Sequence, residues 1–180
     1  MVVRQGGALR LLSIGALLVF VSLSALVSTT PLARAEDDPD FISLGVGGYD
    51  IIGRNSHPSA MGAAEYRFGY KLWIFKPFLG FLGNTSGSYY GYGGFLVDIY
   101  LGNRWVLQPN AAVGYFHQGG GTVLGAHTEF RTGGEIAYRF DDRSRLGFSF
   151  HHISNAGIGQ HNPGEEDAMI VYSIPFNLFK

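Results

Sequence analysis

Residues 124–140 read LGAHTEFRTGGEIAYRF, and their alternation decides the fold class. The even positions run Leu124, Ala126, Thr128, Phe130, Thr132, Gly134, Ile136, Tyr138, Phe140, an apolar and aromatic row. The odd positions carry His127, Glu129, Arg131, Glu135 and Arg139. A period of two with unlike faces is the signature of a β-strand. Comparable runs occupy 41–52, 60–70, 72–83, 88–101, 104–116, 144–154 and 166–179. With 124–140 they predict an all-β fold of eight antiparallel strands. The run 72–83 is the least regular, because Leu72, Trp73, Ile74, Phe75 and Pro77 do not alternate.

Which way the strands face separates two eight-stranded barrels. In an exported lipocalin-like barrel the apolar row would line the interior and the charges would meet water. In a transmembrane barrel the apolar row faces lipid, and the charges fill a narrow interior where opposite signs must pair. Three features favour the membrane. Most runs reach the roughly 9–11 residues that a tilted strand needs to cross a bilayer. Aromatic residues gather at strand ends, with Tyr66, Phe68 and Tyr70 on one parity and Trp105 and Tyr115 on another, as interfacial girdles require. Tight connections at 101–104 and 141–143 alternate with longer ones at 53–59, 117–123 and 155–165. The reading places Phe130, Ile136, Tyr138, Ile170, Tyr172 and Phe176 on the lipid side.

The leader agrees with export. Arg4 and Arg10 precede an uncharged stretch from Leu11 to Thr29, and Ala33-Arg34-Ala35 offers small residues for cleavage before Glu36. Residues 1–35 are read as a cleaved secretory signal peptide, the alternative being an uncleaved anchor because the stretch could nearly span a bilayer, and 36–180 as the barrel. Without cysteine, disulfide scaffolds, thiolate metal sites and thiol nucleophiles are excluded. After residue 35 there are 10 Lys and Arg against 14 Asp and Glu, a net of −4, so no basic excess points to nucleic acid. The last strand ends imperfectly for an outer-membrane barrel: Phe179 is penultimate, off the outward parity, and followed by Lys180.

Side chains suited to catalysis concentrate in FHHISNAGIGQHNPGEEDAMIVY, residues 150–172. Leu146, Phe148 and Phe150 form an outward row, and His152 and Ser154 continue it. On the next strand Glu166 shares parity with Ala168, Ile170 and Tyr172. Antiparallel neighbours about 4.8 Å apart would bring Glu166 beside His152 and Ser154. A hydroxyl, an imidazole and a carboxylate on one patch suit acyl transfer, with serine as nucleophile, histidine as base and the acid as orienter. His151 and Asp167 have inward parity, and His151 is expected to pair with an interior acid. Glu165 rivals Glu166 as orienter but faces the wrong way. His161, in the loop, suits a solvated or substrate-touching role. No metal site is expected, because facing separates His151 from His152 and no His-x-x-x-His spacing exists. With the chain ends periplasmic, loop 155–165 is expected outside the cell, and the patch lies at outer-leaflet height.

His152-x-Ser154-Asn155-Ala156 followed by Asn162-Pro163-Gly164-x-Glu166 resembles the lipid A deacylase family, the PagL-type outer-membrane esterases. The resemblance implies an eight-stranded barrel that removes the ester-linked acyl chain at the 3-position of lipid A, without a cofactor. It implies His152, Ser154 and Glu166 as catalytic residues, and Asn155, Gly157 and Asn162 as loop residues near the oxyanion. The partners implied are lipopolysaccharide and the outer membrane of a Gram-negative bacterium; a homodimer is left open. Two other functions fit the same barrel: an outer-membrane phospholipase, and a non-catalytic barrel for adhesion or membrane integrity.

Overall fold

A computed structural model describes residues 38–52 and 56–176. The leader 1–35 and the terminal Phe179-Lys180 lie outside the described residues. Among the described residues nine strands form one antiparallel sheet: β1 (Asp40–Tyr49), β2 (Ser59–Arg67), β3 (Lys76–Asn84), β4 (Tyr89–Leu96), β5 (Ile99–Leu101), β6 (Trp105–His117), β7 (Thr128–Arg139), β8 (Arg145–Ser154) and β9 (Glu165–Phe176). β1 pairs with both β2 and β9, and β4 pairs with β6, so the sheet closes on itself. β4 and β5 are halves of one stave, because Leu96↔Asn110 and Ile99↔Leu107 share an unbroken register on β6. The barrel thus has the expected eight staves.

Two prolines explain where boundaries depart from the sequence reading. Val97 donates its N–H to the Pro109 carbonyl at 3.1 Å, but Pro109 has no N–H with which to return the bond. The stave 88–101 is interrupted there. The same happens at Pro77, whose carbonyl accepts from Phe68 N–H at 3.1 Å. β2 therefore stops at Arg67 rather than at 70, and β3 starts at Lys76 rather than 72. Leu72 to Phe75 close a turn by an isolated bridge, with Trp73 at φ 63°.

β7 also begins later than expected, at Thr128. Leu124, placed on the lipid face by parity, is instead fully buried. His127, placed inward, is exposed and stacks on Tyr115 at 5.2 Å between centroids. The cause is Gly125, whose left-handed φ of 96° turns the chain out of the strand conformation. The length rule for connections is also blunted. The connection at 85–88 is a tight turn at the end that carries 155–164, whereas the opposite end has the longer 68–75.

The facing is as expected elsewhere. Phe130, Ile136, Ile170, Tyr172 and Phe176 are exposed and Tyr138 is half-buried, while Glu129, Arg131, Glu135 and Arg145 are buried. The exposed row is apolar and the buried row charged, the inverse of a water-soluble core. Inside, Arg67 bridges Glu65 at 2.7 Å and Glu135 at 2.8 Å, and Arg131 reaches Glu65 at 3.3 Å. Nearer the 102–104 turn, Asp98 takes Lys76 at 3.1 Å and Arg145 at 3.2 Å. Buried charges survive only when paired, and removing one member of such a pair costs about 3–5 kcal/mol. Tyr66–Phe68–Tyr70 and Trp105–Tyr138–Phe140 form ring contacts of 4.9–5.5 Å around this end. Phe81–Tyr89–His117 and Tyr115–His127 stack near the opposite end. These two belts bracket the apolar wall, as the two interfaces of a membrane do.

Candidate active site

β8 and β9 position the outward patch through register alone. His152 lies directly opposite Glu166, one rung from the inward pair His151↔Asp167. His152 Nδ1 is 3.1 Å from Glu166 Oε1, with side chains 44% and 28% exposed. A carboxylate oxygen accepts, so the shared hydrogen is carried by Nδ1, and Nε2 keeps its lone pair. Ser154 follows two residues along the same face, a strand rise of about 6.7 Å, and is half-buried opposite Phe130. Its hydroxyl has no hydrogen-bond partner among the described residues.

The loop 155–164 is held by Asn155, which is fully buried. Asn155 Nδ2 donates to the carbonyls of Leu124 at 2.8 Å and His161 at 2.9 Å. Its Oδ1 accepts from Gly157 N–H at 2.9 Å, and its own N–H donates to Asn162 Oδ1 at 2.9 Å. One amide therefore ties the loop to itself and to the connection before β7. Ala156 at φ 53° and Gly157 at φ 82° make the sharp turn that this folding-back needs. In this arrangement the amide donors of Asn155 and Gly157 are already used. Of the three loop residues named from the sequence, Asn162 keeps an unbonded amide nitrogen among the described residues, on an exposed side chain.

Glu165 and Asp167 point the other way. Both are fully buried; Glu165 Oε2 accepts from Asp50 N–H at 3.0 Å, and Asp167 lies 3.2 Å from His151 Nδ1. Arg131 Nη2 stands 2.8 Å from that same His151 nitrogen. A guanidinium only donates, so His151 Nδ1 accepts from it. His161 is exposed in the loop. Ile51 N–H donates to Glu166 O at 3.0 Å, which extends the β1–β9 contact to the rung that bears the acid.

Two features of the site were not read from the sequence. Asn155 as the loop's central anchor had no signal beyond a turn-forming residue type. Gly164, at φ 68°, packs so closely that an added Cβ would lie 2.5 Å from His152 Cε1. In sequence it reads only as part of a Pro-Gly turn.

The family model described as lipid A 3-O-deacylase (PagL) matches residues 59–175. Among solved structures, the crystal structure of the outer membrane enzyme PagL aligns with a TM-score of 0.61 at 18% identity, covering 76% of this chain and 99% of that one. A de novo designed transmembrane β-barrel aligns with a TM-score of 0.54 at 12% identity, covering 77% and 98%. At these identities the structures show a shared barrel fold. No curated protein sequence matches. The family model spans well over half of the chain, strands β2 to β9 and the whole patch: the chain belongs to the lipid A 3-O-deacylase family.

Proposed function

We propose that this protein is an outer-membrane esterase that hydrolyses the 3-O-linked acyl chain of lipid A with a Ser154–His152–Glu166 triad. The observation that carries the proposal is the outward-facing His152–Glu166 pair at 3.1 Å with Ser154 on the same lipid-side wall. Only a substrate that lies in the membrane can meet such a patch. His152 Nε2 takes the proton from Ser154 Oγ as it attacks the ester carbonyl. Glu166 holds the ring through Nδ1 and stabilises the imidazolium that forms. The Asn162 amide nitrogen, with its oxygen anchored on Asn155 N–H, can turn to the oxyanion. Collapse of the tetrahedral intermediate breaks the ester C–O bond, and His152 returns the proton to the departing sugar hydroxyl. Water, deprotonated by the same imidazole, then releases the fatty acid from Ser154.

Topology supports outer-leaflet access. Asp40 and Phe176 pair at the end that bears turns 102–104 and 140–144. If that end is periplasmic, loop 155–164 is extracellular. A tag at Gly159 should be labelled on intact cells and one at Asn103 should not. The function itself is tested by mass spectrometry of lipid A from cells with and without the protein. Loss of one ester-linked acyl group supports the reading. A change confined to phospholipids would assign a phospholipase, and no lipid change a non-catalytic barrel.

A further inference from the structure

We infer that Gly164 is a positioning residue: the space left by its missing side chain is the slot that holds the His152 imidazole against Glu166. The inference rests on the triad reading above and adds a residue that touches no substrate.

Three observations carry it. First, Gly164 stands at φ 68°, a left-handed conformation that side-chain-bearing residues adopt at a cost. Second, a Cβ built there would meet the ring of His152 and nothing else within 4 Å among the three nearest atoms: Cε1 at 2.5 Å, Nε2 at 3.1 Å and Nδ1 at 3.5 Å. Third, the ring that touches this slot is the one bonded to Glu166 at 3.1 Å. Cε1 sits between the two nitrogens. Any displacement of that edge shifts both at once, pulling Nδ1 from the carboxylate and moving Nε2, the nitrogen that the triad assigns to Ser154.

The direction of relief matters. His152 is nearly half exposed on the lipid side, so a clash there is relieved by rotating the imidazole outward, not by moving the strand. The barrel should therefore tolerate a methyl group that the active site does not. Gly87 supplies the control. It lies at φ 84° at the same end of the barrel, and an added Cβ would meet nothing within 4 Å. A change to alanine there carries the backbone strain without touching an imidazole.

The experiment compares Gly164→Ala, Gly164→Asn and Gly87→Ala as refolded barrels, with folding read from heat-modifiable mobility on gels. Asparagine tolerates the left-handed region better than alanine and carries the same Cβ, so it keeps the test open if the alanine variant folds poorly. Two rates are measured: lipid A deacylation, and labelling of Ser154 by a fluorophosphonate, which needs the base but not the lipid. Gly164→Ala and Gly164→Asn should lower kcat by about 10²-fold, the cost of a misplaced catalytic group, with KM little changed. Labelling should slow in parallel, and Gly87→Ala should match wild type in both. In a Glu166→Ala background, Gly164→Ala should cost less than about threefold more, because the two changes disable one unit. Wild-type activity with an equally active Gly164→Ala overturns the inference alone, as does a full additive loss in the Glu166→Ala background. A wild type that labels at Ser154 but spares lipid A overturns the substrate reading and leaves the Gly164 comparison to be read from labelling. A wild type that does neither overturns both.

Discussion

Two histidine–carboxylate pairs sit on adjacent rungs of β8 and β9 and meet opposite surroundings. His151–Asp167 is 3.2 Å apart and sealed inside the barrel; His152–Glu166 is 3.1 Å apart and open to the lipid side. The two strands, the register and the functional groups are the same. What differs is parity, and through parity the surroundings. The inner imidazole meets Arg131 and Asn110 as well as Asp167, so both ring nitrogens are occupied. Among the described residues the outer imidazole bonds Glu166 through Nδ1, and Nε2 has no hydrogen-bond partner. If the outer pair is the reactive one, as proposed, what sets it apart is the hydrogen-bonding capacity left unspent, not the identity of the pair.

The comparison breaks most completely at the outer pair. Ser154→Ala and His152→Ala should each lower lipid A deacylation by several orders of magnitude, and the double variant should be little worse than either. Glu166→Ala should cost less by about one to two orders of magnitude, since orienting an imidazole is a supporting role that water can partly fill. Asn162→Ala, if its amide meets the oxyanion, should remove about 2.7–4 kcal/mol of transition-state stabilisation, read as kcat. At the inner pair the damage should fall on stability. Arg131→Ala takes the nearby guanidinium from buried Asp167 and one of two from Glu65, and should cost about 3–5 kcal/mol in unfolding free energy of the barrel measured with urea.

The same contrast shows what the sequence carried. Parity alone put His152, Ser154 and Glu166 outward and His151, Glu165 and Asp167 inward, because a strand has a fixed period and both strands run without a bulge from the loop downward. It failed where the backbone leaves that period. Pro77 and Pro109 break ladders through the loss of one N–H each, an effect that depends on which rungs are hydrogen-bonded and so on the partner strand. Gly125 turns Leu124 into the barrel and His127 onto Tyr115, and a lone glycine in an alternating run does not announce a left-handed residue. The loop was legible in composition but not in wiring. That Asn155 anchors two connections, and that Gly164 frames an imidazole, are facts of three-dimensional contact with no linear pattern.

The most direct test of the account sets the neighbours His151 and His152 against each other. Each is changed to alanine in the full barrel, and lipid A deacylation and urea stability are measured side by side. His152→Ala should lose activity by several orders of magnitude with the barrel's stability nearly intact. His151→Ala should keep near wild-type activity while losing about 1–3 kcal/mol of stability, because Arg131 and Asn110 lose a buried hydrogen-bond partner. An inactive His151→Ala beside an active His152→Ala would contradict the account, and the outward-facing triad with it.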